Sequence, residues 1–106
     1  MTKINVIQND KGYELNFTLR DANENAIDLT NGTLLFKAQK QGASTTKFSG
    51  AMSVVAAASG TCKYIVADGN FDEAGDYYAE IEVTYTGGKV ITFGDIIVSV
   101  RPEIPR

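Results

Sequence analysis

Histidine and tryptophan are absent from this sequence, and cysteine occurs once. Without histidine, the usual general base near neutral pH and the commonest nitrogen ligand for metals are missing. The lone Cys62 excludes an intrachain disulfide, and its thiol has no imidazole to activate it. Its neighbours alternate as in a strand, so Cys62 reads as a small core residue. Proline occurs only at positions 102 and 105, which leaves the rest of the chain free to supply ladder donors. Positive charge is also thin. Ten Lys and Arg are scattered against thirteen Asp and Glu, for a net charge of −3. No cationic face gathers to neutralise phosphates, so nucleic acid is not an expected partner. No apolar run is long enough for a membrane-crossing helix, and no membrane partner is expected. The opening residues, Met1 to Val6, lack the apolar h-region of a signal peptide, so the chain is expected to begin as a cytoplasmic product.

What is present is strand chemistry. Hydrophobic residues make up 43% and charged residues 22% of 106 residues, ordinary values for one globular domain with a real core. Tyr13, Leu15, Phe17 and Leu19 alternate with Glu14, Asn16, Thr18 and Arg20. Ala79, Ile81, Val83 and Tyr85 alternate with Tyr78, Glu80, Glu82 and Thr84. A period of two places each apolar set on one face of a half-buried strand. Shorter segments behave similarly at positions 4–7, 33–38, 52–56 and 61–67. The run from Val90 to Val100 changes its apolar parity between Phe93 and Ile96, and Gly94 at the change predicts a β-bulge.

Turn formers separate these runs: Asn9-Asp10-Lys11-Gly12, Thr30-Asn31-Gly32, Asp68-Gly69-Asn70 and Thr86-Gly87-Gly88-Lys89. Positions 21–28 read as a polar loop, and positions 39–50 as a longer, mobile polar stretch. Ala56-Ala57-Ala58 is too short to nucleate a helix. The pattern predicts an all-β, immunoglobulin-like antiparallel β-sandwich of about seven strands. The domain is expected over residues 1–101, with 102–106 as an extended tail or linker.

The most informative segment is Glu73-Ala74-Gly75-Asp76-Tyr77-Tyr78-Ala79. An acidic residue, then Gly75, then Tyr77 leading into a strand is the pattern of a tyrosine corner, in which the phenol bonds back to upstream backbone. The competing reading makes Tyr77 an ordinary rim aromatic. The antibody cysteines and core tryptophan are missing, so an antibody-type domain is excluded. Tyr78 should face outward between Tyr77 and Ala79, and Phe71 sits in a loop. Both are candidates for an interaction surface, although single exposed aromatics are common.

Other motifs fail on inspection of their chemistry. Positions 68–72 resemble the start of a calcium loop, but its sixth and twelfth positions hold Glu73 and Ala79 instead of Gly and Glu. Glu80 and Glu82 share the polar face of a strand, where no cleft perturbs a carboxyl for acid–base work. Asn16-Phe17-Thr18 and Asn31-Gly32-Thr33 match the glycosylation pattern, which means little without a signal peptide. No catalytic, metal or cofactor-binding residues are expected.

Several motifs together resemble one family. They are Phe17-Thr18-Leu19-Arg20-Asp21, the stretch from Ala26 to Phe36, Gly60-Thr61-Cys62-Lys63-Tyr64, and the stretch from Ala74 to Ile81. Ile91-Thr92-Phe93 and Ile96-Ile97-Val98-Ser99-Val100 complete the set. In this order they resemble the N-terminal domain of phage baseplate upper proteins, from tails of phages and prophages of Gram-positive bacteria. The resemblance spans Tyr13 to Val100, and its most specific pieces are Asp28-Leu29-Thr30-Asn31-Gly32 and Ala74-Gly75-Asp76-Tyr77. It implies a β-sandwich that anchors a larger protein to the tail, with other tail or baseplate proteins as partners, no catalysis, and a place in the virion. Many copies in a symmetric ring would make it a homo-oligomer in the assembly. Two alternatives stand beside this reading: a carbohydrate- or cell-surface-binding module, and an immunoglobulin-like spacer of a bacterial surface protein.

Overall fold

A computed structural model describes residues 2–104 of the chain. Among the described residues, eight strands form two packed sheets. They are β1 (Thr2–Ile7), β2 (Glu14–Thr18), β3 (Gly32–Lys40), β4 (Phe48–Ala51), β5 (Ser53–Ala56), β6 (Thr61–Ile65), β7 (Gly75–Tyr85) and β8 (Val90–Arg101). The five-stranded sheet runs β1-β8-β7-β3-β4 and the three-stranded sheet β2-β6-β5. In immunoglobulin lettering, β8, β7, β3 and β4 fill the G, F, C and C′ places. Strands β2, β6 and β5 fill B, E and D.

Three expectations need correction. The sheet is not wholly antiparallel, because β1 runs parallel to β8 from Thr2↔Ile96 to Ile7↔Arg101. The polar stretch at 39–50 contains structure: β3 extends to Lys40, and Phe48 to Gly50 enters β4. That additional edge strand raises the count above seven. Its driving force is the Phe48 ring, which meets Phe71 edge-on at 5.1 Å and stacks on Tyr64 at 5.9 Å. Gly50 of β4 is required by the same cluster, since a Cβ there would lie 2.7 Å from the Tyr64 ring. Finally, Met52 is not in a strand but separates β4 from β5.

The core consists mostly of the alternating residues that the sequence pattern marks, joined by Val6 of β1 and the loop residues Leu29 and Phe71. Leu15 and Phe17 of β2, Leu34, Phe36 and Ala38 of β3, and Tyr77, Ala79, Ile81 and Val83 of β7 are all buried. Cys62, Tyr64, Val66, Ile96, Val98 and Val100 complete the two inner faces. The parity change in β8 is a bulge: Ala79 pairs with Ile96 and Ile81 with Phe93, so Gly94 and Asp95 together oppose Glu80. The left-handed residue there is Asp95, at φ 66°, rather than Gly94. The polar loop at 21–28 is closed by an Arg20↔Ala26 bridge, and Asp21 Oδ1 accepts from the Asn23 and Asn25 amides. The alanine patch contributes one 3-10 turn, Ala57–Ser59. Past Arg101 the tail continues through Pro102 to Ile104; Pro105 and Arg106, its last two positions, lie outside the described residues.

Candidate docking surface

The strand β7 divides its two neighbouring tyrosines between core and surface. Tyr77 is fully buried, and its hydroxyl donates to the Glu73 carbonyl at 2.8 Å. Burial raises the Tyr77 phenol above its ordinary pKa of 10.0, so it remains a donor. Gly75 precedes it at φ 130°, a conformation that side chains rarely adopt. Outside this corner, Lys47 pairs with Asp72 at 2.7 Å and with Glu73 at 3.5 Å, and Lys40 reaches Glu73 at 3.7 Å. The bond to Asp72 raises the Lys47 pKa, and the same bond lowers that of Asp72. The loop before β7 is thus tied to both ends of the β3–β4 connection.

Phe71 does not belong to the surface. It is 1% exposed, with its ring edge-on to Tyr77 at 5.3 Å and to Phe48 at 5.1 Å. The loop that carries it closes one end of the sandwich, and an apolar ring there is driven into the gap between the sheets. Tyr78 is 52% exposed. It lies across from Ile97 on one side and Gln39 on the other, and Ile97 lies across from Lys3. Lys3, Ile97, Tyr78 and Gln39 therefore form one row on the outer face of the larger sheet. One residue pair further, Lys37 bridges Glu82 at 3.1 Å and Glu80 at 3.9 Å. Those two carboxylates are committed to an ion pair on an open sheet.

The remaining candidate chemistry is internal. In the acidic loop, Asn70 Oδ1 accepts from the Tyr64 hydroxyl at 2.6 Å and from the Ala67 amide at 2.9 Å, while Asp68 pairs with Lys11 at 3.6 Å. The side-chain oxygen that a cation would need from Asn70 is spent on closing the turn. Among the described residues, no three His, Cys, Asp or Glu converge to hold a metal. Cys62 is buried, and desolvation pushes its thiol pKa up to about 11.

A second surface, which the residue pattern did not single out, lies along the free edge of β2. A cleft of about 630 Å³ there is lined by Thr2, residues 16–20, Glu24 and residues 93–96. Edge status is a property of the assembled sheet, so no local sequence signal marks Asn16, Thr18 or Phe93 for this role.

The described residues thus form a two-sheet immunoglobulin-like sandwich, with ion pairs on the outer face of the larger sheet and open edges on both sheets. Residues 1–105 match the model of the BppU N-terminal domain, the N-terminal domain of the baseplate upper protein, and the chain belongs to that family. Its class is therefore that of phage baseplate structural domains, components of the virion tail that interact with other tail proteins. No curated protein matches the chain.

Proposed function

We propose that the chain is a non-catalytic docking module that fastens one baseplate component to another, present in several copies in the assembly. The observation that carries this reading is Tyr78. It is a large aromatic, half-exposed on the outer face of the larger sheet, flanked by the half-buried Ile97, with the Lys37–Glu82 ion pair close by. An aromatic anchor inside a polar rim is the usual composition of an interface centre. Residues 1–101 act as the docking unit and the segment after Arg101 as its connection.

A sugar-binding module would stack its ligand on two or three converging aromatics. Phe71, Phe36 and Tyr77 are buried in the core, and Tyr13, Tyr85, Phe48 and Phe93 pack against it. Tyr78 is the one aromatic among the described residues that is more than a third exposed.

The experiment is cross-linking mass spectrometry on baseplates assembled from the chain and the products of adjacent tail genes. Cross-links from Lys3 and Lys37, which border Tyr78, to a second tail protein are expected. Tyr78→Ala should weaken co-assembly by at least about tenfold, with thermal stability changed by less than about 0.5 kcal/mol. A chain that joins no tail protein under these conditions overturns the reading.

A further inference from the structure

The strand that leads to the C-terminal segment is held on both sides. β8 lies between β1 and β7. Its residues Ile96 to Val100 face Thr2 to Val6 in parallel on one side and Ala79 to Gly75 in antiparallel on the other. Ile96, Val98 and Val100 are also buried in the core. β7 passes the connection onward, since it pairs with β3 from Lys40↔Tyr77 to Gly32↔Tyr85. An edge strand such as β1 has a neighbour on one side only.

Past Arg101 the chain keeps the direction of this strand. Arg101 precedes a proline, which biases it to extended backbone. β1 runs the same way as β8, so the residues that follow each strand remain neighbours. The Gln8 amide donates to the Arg101 carbonyl at 2.8 Å. The Gln8 side chain uses both of its polar atoms: Oε1 accepts from the Glu103 amide at 3.3 Å, and Nε2 donates to the Asp72 carbonyl at 2.9 Å. Asn9 Nδ2 donates to the Glu103 carboxylate at 3.3 Å, and the Asn9 amide donates to the Phe71 carbonyl at 2.9 Å. The turn after β1 is therefore a clasp. It joins the departing chain to the loop that carries the buried Phe71.

Direction decides how such an arrangement takes a pull. In an antiparallel ladder the hydrogen bonds stand perpendicular to the strands. A pull along the strand axis loads many of them at once, and they must fail together. A pull across the axis, applied at one end, loads the end pair first and peels the strand away pair by pair. The clasp keeps Pro102 and Glu103 running on from β8 beside Gln8 and Asn9, so a pull on this segment arrives along the axis.

We infer that the domain is a load-bearing joint, in which tension entering through the segment after Arg101 is carried in shear by β8 against β7 and β1. A partner that holds the outer face, where Tyr78 lies across from Ile97, is then linked to that segment through the doubly paired end of β8. Gln8 and Asn9 keep the pull on the axis. The inference rests on the docking reading, which makes the segment after Arg101 the connection, and it gives that connection a mechanical task.

The test pulls single molecules of the full chain at constant force. One handle is a peptide tag after Arg106, and the other is a thiol introduced by Thr84→Cys or Asp76→Cys, both at exposed positions of β7. Thr84 lies across from Val90, at the far end of the β7–β8 ladder, so that pair of handles loads it in shear. Asp76 lies across from Ser99, at the exit end, so that pair peels it. With both variants at the wild-type melting temperature, the lifetime under shear should exceed that under peeling by at least about tenfold at the same force. Equal lifetimes, or a shorter one under shear, overturn the inference. The clasp is read separately, in the wild-type chain, by NMR relaxation. The Glu103 amide should show an order parameter near the rigid value of about 0.85, and Gln8→Ala should lower it below about 0.6. A flexible Glu103 in the wild type, or one equally rigid in Gln8→Ala, overturns the inference. If the wild-type chain joins no tail protein, the docking reading fails, while the lifetimes and the order parameter still decide the joint.

Discussion

The rings of Phe71 and Tyr77 meet edge to face, with centroids 5.3 Å apart and planes at 77°. One comes from the loop before β7 and the other from the start of β7, and the Tyr77 hydroxyl returns to the carbonyl of Glu73 between them. The loop is thus held at both its apolar ring and its backbone. The entry of β7, which carries Tyr78 on the outer face, is fixed from below.

Removing the hydroxyl isolates this tie. Tyr77→Phe keeps the ring packing and leaves the Glu73 carbonyl without its donor. A cost of about 1–2 kcal/mol is expected, the range for losing one partner of a buried bond. Tyr78→Phe, one residue later on the exposed face, should stay within about 0.5 kcal/mol. Urea melts of the two variants check the contrast. Equal stabilities would mean that the corner bond contributes nothing.

Glycine positions separate required from permissive turns. Gly60 sits at φ 69°, and a Cβ there would lie 2.6 Å from the Leu19 carbonyl oxygen and 2.9 Å from that of Ile27. Both obstacles are backbone, so neither can rotate away. Gly60→Ala should cost at least about 2 kcal/mol, which combines left-handed strain with displacement of the chain. Gly87 has nothing within 4 Å of its virtual Cβ. Gly87→Ala should change stability by less than about 0.5 kcal/mol in the same melts.

The two long alternating strands were legible because their contacts obey a local rule. Leu15 and Phe17, and Ala79, Ile81 and Val83, face inward by parity alone. The Tyr77 pattern was legible because its bond partner lies four residues away. Phe71 was not, since its burial depends on Phe48 and Tyr77 arriving from two other strands. β4 was hidden because Ser49 and Gly50 look like loop residues, and Gly50 is there to clear the Tyr64 ring. The parallel β1–β8 pair and the open β2 edge join residues from the two ends of the chain. No window along the sequence contains both partners.

Acid should loosen the β3–β4 connection first. The Lys47 ammonium bonded to Asp72 holds that carboxyl below its ordinary value of 3.8, and the Thr30 hydroxyl and amide do the same for Asp28. A carboxyl with a depressed folded pKa adds stability above its unfolded value, and that stability is lost as pH falls through the folded one. The raised pKa of Lys47 acts at the opposite extreme, present below its ordinary 10.5 and lost only above it. Melting temperature is therefore expected to fall as pH drops below about 4. Asp72→Asn should flatten that fall and, because the same bond raises the Lys47 pKa, also remove the part of the decline above pH 10.5 that this bond contributes. An identical acid profile in the variant would remove Asp72 from the account.

Cys62 gives the alkaline counterpart and a test of core integrity. It is 1% exposed, between Phe17 of β2 and Val54 of β5 in the ladder, and its thiol is pushed from 9.0 to about 11 by desolvation. The folded state keeps the neutral thiol, whereas the unfolded chain ionises it near its ordinary value. The stabilising difference is complete below pH 9 and disappears as pH rises toward 11. Tyr13, Tyr64 and Tyr77 are also raised by burial, from an ordinary value of 10.0, so their loss starts about one pH unit later. Cys62→Ala should therefore remove the first part of the alkaline decline and leave the second. In the native protein at pH 8, a thiol reagent should label Cys62 no faster than the chain unfolds, because attack requires an exposed thiolate. Labelling at the rate of a free thiol would mean that the β5 edge opens independently of the sandwich.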